Sequence, residues 1–223
     1  MVVRRGVRAR FPRGPGALRP NPPIICGIFT PINVDGLAGA KPVPVRSKTV
    51  YTVPMKHFLI MRHAKSAWDD PLVADHDRPL NGRGRKAAPA MGRWVADQGL
   101  IPDAVLLSSA KRVAETWALA SGEWENPPMA MGDRGLYMAW PGRVIDVLKE
   151  VDPDAKTVML INHEPTVSAL AEVLAKPPIP KECARAFAHY PTAGVCVLEY
   201  DGEWAEVGAQ SMRFARFQVP KEL

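Results

Sequence analysis

The chain has 223 residues, enough for one domain with a substantial core, and its 47% hydrophobic and 23% charged residues are ordinary for a soluble globular protein. The net charge of +6 is unevenly distributed: residues 1–54 hold nine basic residues and one acid, whereas residues 55–223 hold 20 basic and 22 acidic residues and are close to neutral. This distribution argues against a general basic surface for nucleic acid, and the absence of a long apolar run argues against a membrane span.

Residues 1–54 differ in composition from the rest of the chain. They carry nine of the 23 prolines and show neither a helical nor an alternating hydrophobic period, so we predict a disordered or loosely attached basic leader. Their Arg-rich, acid-poor start is weakly similar to a transit peptide. An alternative, which we prefer, is that translation starts at Met55, directly before the first strand. Residues 55–223 are then the single folded domain.

From Met55 onward, short apolar runs alternate with longer segments of helical period. Asn81 is the predicted N-cap of the first helix and Gly99 its stop. This alternation predicts an α/β fold with a mostly parallel sheet covered on both faces and an antiparallel pair near the C-terminus. In chain order we predict a strand at 57–61, a helix at 80–99, a strand at 105–107, helices at 110–120 and 143–150, a strand at 157–161, a helix at 166–175, and a hairpin of strands 195–200 and 204–207.

Three of the predicted strands end in polar residues that could share one site. "FLIM" is followed by Arg62 and His63, "VMLI" by Asn162 and His163, and "VLL" by two serines, with Arg112 in the first turn of the next helix. Because ligands of open α/β sheets bind outside the carboxyl ends of the strands, we expect two histidines and two arginines to face one crevice. The helices that follow would add backbone N–H groups at their N-termini.

These residue types suit a dianionic phosphoryl group. Arginine binds phosphate oxygens bidentately and stays charged, and a neutral imidazole can attack phosphorus and carry the group covalently. A metal site is disfavoured, because Arg62 beside His63 would repel a cation and no carboxylate stands at ligand spacing. The sequence also lacks the glycine-rich loop of P-loop nucleotide sites and the Gly-x-Ser-x-Gly elbow of serine hydrolases.

With these residues in place, the sequence resembles the histidine phosphatase, or phosphoglycerate mutase-like, superfamily. The stretch Arg62-His63-Ala64, followed by "KSAW", is similar to the SixA branch, the phosphohistidine phosphatases. The resemblance spans essentially all of residues 57–204. The further matching stretches are "HDRPLNGRGRKAA" (76–88), "LLSSAKRVAET" (106–116), "RGLYMA" (134–139), "INHEPTVSALA" (161–171) and "YPTAGVCVLEYDGEW" (190–204).

The sequence departs from the family pattern at three positions. Ala64 stands where the signature has glycine, and Asn81 replaces the usual threonine, which is a tolerable exchange at an N-cap. Glu164 replaces the usual asparagine after the second histidine and places a negative charge near the mouth of the predicted pocket.

The resemblance implies a three-layer α/β/α sandwich, no cofactor and four residue roles. His63 is the implied nucleophile, which becomes phosphorylated. Arg62 and Arg112 are the implied clamps on the phosphoryl oxygens, and His163 donates a hydrogen bond to the same group. The implied substrate is phosphohistidine in a phosphorylated protein, or a small phosphorylated compound, and we expect no nucleic-acid or membrane partner.

Two other functions stay open at this point. The chain could be a small-molecule phosphomonoesterase, or a non-catalytic phosphate-binding module that kept the pocket. A general acid is not evident: Asp133 is the nearest candidate, with Asp69 and Asp70 behind it, and each fits a surface acid better. Phosphohistidine needs less acid catalysis than a phosphomonoester, because its imidazole departs readily once protonated.

The remaining candidates are weaker. Arg112 could pair with Glu115 on the helix surface instead of binding phosphate. Arg78 and Arg83 fit a rim contact and a salt bridge equally well, and His57, His76 and His189 are predicted to be non-catalytic. Cys26, Cys183 and Cys196 form no Cys-x-x-Cys motif, so we predict free thiols in a reducing compartment and a cytoplasmic location.

Overall fold

The structure is a computed structural model and describes residues 55–223. The predictions for residues 1–54, including the leader and Cys26, lie outside the described residues. Within residues 55–223, Cys183 and Cys196 are buried free thiols. No helix of this described part is long and apolar enough to cross a membrane.

Seven strands and five α-helices make up the described chain. The strands are β1 (Lys56–Arg62), β2 (Ala104–Ser108), β3 (Gly132–Asp133), β4 (Thr157–Asn162), β5 (Ala175–Lys176), β6 (Val195–Tyr200) and β7 (Met212–Gln218). The helices are α1 (Gly82–Asp97), α2 (Lys111–Ser121), α3 (Pro141–Lys149), α4 (Thr166–Leu174) and α5 (Lys181–Ala188). Short 3-10 helices cover Asp75–Asp77, Arg134–Leu136, Trp204–Glu206 and Pro220–Glu222.

All seven strands belong to one sheet in the order β3-β2-β4-β1-β6-β7-β5. The pairs β2–β3, β2–β4, β1–β4 and β5–β7 are parallel, whereas β1–β6 and β6–β7 are antiparallel. Parallel β1 and β4 run in register from His57 opposite Thr157 to Arg62 opposite Asn162. The two motif strands therefore end side by side.

Alternating residues of β1 divide the core into two layers. Phe58 and Ile60 pack on one face of the sheet with residues of α3, α4 and α5, whereas Leu59 and Met61 pack on the other face with residues of α1 and α2. All four of these β1 side chains are fully buried. A strand that is buried on both faces reads as a continuous apolar run, as "FLIM" does. The predicted α/β/α sandwich with a mostly parallel sheet is confirmed.

Helix α1 shows why the first long segment folds as predicted. The Asn81 side chain accepts a hydrogen bond from the Gly84 backbone N–H, and Gly99, with φ of +67°, follows the helix in the left-handed region that favours glycine. Gly84 also lies so close to the backbone of Lys65 that a Cβ there would clash with the Lys65 carbonyl. The helix start is thereby packed directly against the segment that follows β1.

The predicted hairpin is wrong in its second strand. Residues Trp204–Glu206 form a 3-10 helix, and the antiparallel partner of β6 is β7, which begins at Met212. The reason is the Trp204 side chain, which is buried and donates its indole N–H to the Ala155 carbonyl at 2.7 Å. Because this ring is buried, residues 204–206 pack against the core as a 3-10 helix, and the strand that pairs with β6 begins later in the chain. The sequence-based prediction also missed α5 and the short strands β3 and β5.

Candidate active site

The candidate site forms where three adjacent strands end. Strands β2, β4 and β1 are neighbours in the sheet and parallel, so their carboxyl ends meet at one edge. His63 directly follows β1, His163 directly follows β4, and Ser108 ends β2. The His63 backbone N–H donates to the Asn162 carbonyl at 2.9 Å, which continues the ladder past the last strand residues. The two histidine rings are thereby held with their centroids 5.0 Å apart.

His63 has one protonated and one unprotonated ring nitrogen. Its Nδ1 lies 2.7 Å from the Ala64 carbonyl oxygen, and because a carbonyl only accepts, Nδ1 carries the proton. Nε2 is then the unprotonated nitrogen, and it accepts a 3.3 Å hydrogen bond from Arg112 Nε. Burial, with Arg112 and Arg62 nearby, lowers the pKa of His63 to about 4. The imidazole is therefore neutral at neutral pH, with a lone pair on Nε2.

Arg112 is buried and directs different edges of its guanidinium at different partners. Nε points at His63, while Nη2 donates to Asp75 Oδ2 at 2.9 Å and Nη1 donates to the Asp75 backbone carbonyl. The alternative pairing with Glu115 does not occur: Glu115 accepts instead from the Leu80 backbone N–H at 2.8 Å. Arg112 therefore belongs to the site and not to the surface of α2.

His163 is buried and faces His63 across the site. Its Nε2 lies 2.7 Å from Ser108 Oγ, and its Nδ1 has no hydrogen-bond partner among residues 55–223. Its backbone N–H donates to Asn162 Oδ1 at 2.8 Å, which fixes the turn after β4. Burial, followed by the charges of Arg112 and His63, lowers the pKa of His163 to about 3. This ring is also neutral at neutral pH.

Arg62 lies on the other side of His63 and is partly buried. Its Nη1 donates to the Tyr190 carbonyl at 2.6 Å, and its buried Nε has no partner within the described part of the chain. Tyr190 is itself anchored, since its hydroxyl accepts from the Cys196 backbone N–H at 3.0 Å. Arg62 is thereby held at one edge and keeps other N–H groups available.

All four predicted site residues line one cavity of about 270 Å³. A wider groove of about 700 Å³ adjoins it and shares Lys65, Ser66 and Trp68 with it. The further residues that line the cavity are Asp75, Met138, Glu164 and Thr192. Two arginines, a nearby lysine and two neutral imidazoles make this cavity a suitable receptor for a compact anion.

The structure places the predicted general-acid candidates outside this cavity. Asp133 Oδ1 accepts from the Gly135 backbone N–H at 2.6 Å, and Asp70 Oδ1 accepts from the Leu72 backbone N–H at 2.9 Å, so both cap local turns. Asp69 lines the adjoining groove. The carboxylates at the cavity are Asp75 and Glu164.

Asp75 is the residue that sequence reasoning missed. Besides Arg112, its Oδ2 accepts a 2.7 Å hydrogen bond from the Tyr137 hydroxyl. The bond from Tyr137, together with Arg112, lowers the pKa of Asp75, so it is ionised at neutral pH. One signal was available: Asp75 immediately precedes the matching stretch that begins at His76.

The structure also gives the positions of three weaker candidates, Arg78, Arg83 and His76. Arg78 stacks on the exposed Trp68 ring, with its guanidinium carbon 4.2 Å from the ring centroid, so it lies at the cavity rim. Arg83 is exposed on α1. His76, predicted to be non-catalytic, lies near the site, because its Nε2 is 2.9 Å from Ser109 Oγ.

Residues 55–223 contain no group of three or more His, Cys, Asp or Glu side chains placed to hold a metal ion.

The chain is similar to known proteins in sequence and in structure. Residues 58–134 match the model of the histidine phosphatase superfamily (branch 1). The uncharacterized protein Rv1276c of Mycobacterium tuberculosis is 39% identical over 163 residues, which cover 72% of this chain and all of that protein.

Two solved structures, both assigned as phosphohistidine phosphatase SixA, share the fold. The one from Nakamurella multipartitia is 28% identical with a TM-score of 0.65 and covers 74% of this chain and 96% of its own. The one from Agrobacterium tumefaciens is 26% identical with a TM-score of 0.62 and covers 75% of this chain and 99% of its own.

Proposed function

We propose that this chain, which belongs to the histidine phosphatase superfamily, is a phosphatase that works through a covalent phosphohistidine at His63. One observation carries the proposal: His63 Nδ1 is tied to a backbone carbonyl, so the lone pair of Nε2 faces a cavity lined by Arg62 and Arg112. A neutral imidazole held in this way is a nucleophile that needs no separate base.

The reaction has two steps. The Nε2 lone pair of His63 forms a bond to phosphorus while the bond from phosphorus to the leaving group breaks, and the leaving group takes up a proton from solvent water. Water then attacks phosphorus and releases one proton to solvent, the P–N bond breaks, and inorganic phosphate leaves with the water oxygen. His63 returns to its starting state, and its proton stays on Nδ1, hydrogen-bonded to the Ala64 carbonyl, throughout.

Arg62, Arg112 and His163 stabilise the transferring group. Charge develops on the phosphoryl oxygens, and the two guanidinium groups that line the cavity oppose it. His163 Nδ1 has no partner in the described chain. It can donate to a phosphoryl oxygen when the Ser108 hydroxyl donates to His163 Nε2.

Phosphohistidine in a protein is the substrate we propose. The SixA assignment of the two similar structures supports it. The ionised state of Asp75 supports it as well, because a carboxylate held in that state is a poor donor to an alkoxide. Imidazole is a better leaving group than an alkoxide, so its departure does not require a strong general acid.

A substrate panel tests this function. Turnover of a phosphohistidine peptide should exceed turnover of p-nitrophenyl phosphate and of phosphoserine peptides in kcat/KM. A preference for phosphomonoesters would identify the small-molecule phosphomonoesterase instead. Binding of inorganic phosphate without turnover of any of the three would identify a phosphate-binding module.

A further inference from the structure

The guanidinium of Arg112 is held in one orientation by a residue that does not belong to its helix. Arginine has five N–H donors in a fixed plane. Asp75 takes one from each Nη atom, through its backbone carbonyl and its Oδ2. The Nε edge is left to face His63 Nε2 at 3.3 Å. Asp75 and His63 therefore bind different edges of the same planar group.

Asp75 is itself fixed from three sides. It begins the 3-10 helix Asp75–Asp77, where the Asp77 backbone N–H donates to the Ala74 carbonyl at 2.9 Å. The contact between His76 and Ser109 fastens this short helix to the segment that leads into α2. The Tyr137 hydroxyl holds Asp75 Oδ2 at 2.7 Å.

We propose that Asp75 is the positioning residue of Arg112, which keeps the Nε edge of the guanidinium aimed at the nitrogen that receives the phosphoryl group. This inference rests on the proposed function, since it assigns Asp75 a part in the same transfer. When the phosphoryl group bonds to His63 Nε2, the lone pair there is consumed, and the Nε–H turns to an oxygen of the transferring group.

A competing explanation gives Asp75 the opposite effect. A carboxylate on an arginine could occupy the place of the substrate and inhibit the enzyme until it is displaced. The two explanations differ in which edge of the Arg112 guanidinium the substrate would need. The Asp75 carboxylate binds Nη2 and leaves the Nε–H to His63, so a phosphoryl group on His63 Nε2 and the carboxylate need not compete for the same donor.

The side chain of Asp75 is 49% exposed, so its loss should not disrupt the core. We would compare Asp75→Ala with Asp75→Asn, which keeps an acceptor oxygen for Arg112 but loses the charge. Asp70→Asn is the matched control, because it removes a charge from the same loop outside the cavity and keeps its acceptor for Leu72.

Asp75→Ala should lower kcat by about 10- to 100-fold, the scale of a misplaced catalytic group, and Asp75→Asn should recover much of that loss. KM should not rise, because the substitution removes the negative charge of Asp75 from the anion-binding cavity. Asp70→Asn should behave as wild type. An unchanged or raised kcat in Asp75→Ala, especially with tighter binding of inorganic phosphate, would overturn the proposal in favour of the competitor.

A second measurement does not depend on turnover. The Arg112 Nε–H should give a protected NMR signal, which Arg112→Lys identifies by its loss, and Asp75→Ala should broaden or abolish it. An unchanged signal in Asp75→Ala would overturn the positioning role. If wild type turns over no phosphorylated substrate, the proposed function fails, and this NMR comparison still decides how Arg112 is held.

Discussion

Arg112 Nε donates to His63 Nε2 at 3.3 Å across 49 positions of sequence. The contact joins the start of α2 to the residue after β1, and it meets the one imidazole nitrogen that carries no proton. Burial is the main reason that this imidazole is neutral, and an arginine that donates to the nitrogen disfavours its protonation further. The contact also marks where the transferring group would bind.

Arg112→Lys tests the guanidinium geometry. Lysine keeps the charge but loses the planar fork, so we expect kcat/KM to fall by roughly 10²- to 10³-fold, the scale of losing one preorganised donor. Arg85→Lys, at an exposed site on α1, is the control and should change little. A loss below about threefold for Arg112→Lys would remove Arg112 from the transition state.

The two site histidines should titrate far below an ordinary histidine. Burial lowers the pKa of His63 to about 4 and that of His163 to about 3. An NMR titration of the imidazole signals should show both midpoints well under that of the same residues in the urea-unfolded chain. Assignment follows from His63→Ala and His163→Ala. A midpoint near 6.5 for His63 would mean that half of it is protonated just below neutral pH, contrary to the account.

The same shifts make folding stability depend on pH. Between pH 6.5 and about 4 the unfolded chain binds protons on His63 and His163 that the folded chain does not, so the free energy of unfolding should rise as pH rises through this window. His63 alone would supply on the order of 3 kcal/mol across the window.

His63→Gln should flatten this slope, as urea unfolding at several pH values between 4 and 7 would measure. Lys86→Gln, at an exposed position on α1, should leave it unchanged. An equal slope in wild type and His63→Gln would show that the pKa of His63 is the same in the folded and the unfolded chain.

Glu164 should weaken the binding of dianionic substrates. It lines the cavity, its Oε1 accepts from Ser168 Oγ at 2.5 Å, and its buried Oε2 has no partner within residues 55–223. Glu164→Gln removes the negative charge and keeps the shape, so KM for p-nitrophenyl phosphate at low salt should fall by about 3- to 10-fold. Glu172→Gln, exposed on α4, serves as the control. A rise in KM would show that Glu164 supports the site through Arg62 instead.

The sequence predicted the core of the site because its residues follow strands with an unmistakable apolar pattern. Once β1 and β4 are taken as parallel neighbours, His63 and His163 must emerge at the same edge of the sheet. Arg112 was predictable for the same reason, since it lies in the first turn after β2.

Asp75 could not be predicted in the same way. It lies in a segment without hydrophobic period, and its approach to Arg112 depends on two contacts between residues distant in sequence, His76 with Ser109 and Asp75 with Tyr137. The prediction of the second hairpin strand was wrong for a related reason. The segment after the Asp-Gly pair looks extended, but the burial of Trp204 against Ala155 decides its path.

The central claim is that His63 carries the phosphoryl group covalently, and trapping the intermediate tests it most directly. Brief reaction with labelled substrate and an alkaline quench should leave an acid-labile, base-stable phosphate on the peptide that contains His63. His63→Ala should trap none and lose turnover, whereas His163→Ala should be impaired and still able to trap label. Brisk wild-type turnover with label only on His163, or with a stable ester on Ser108 or Ser109, would contradict the account.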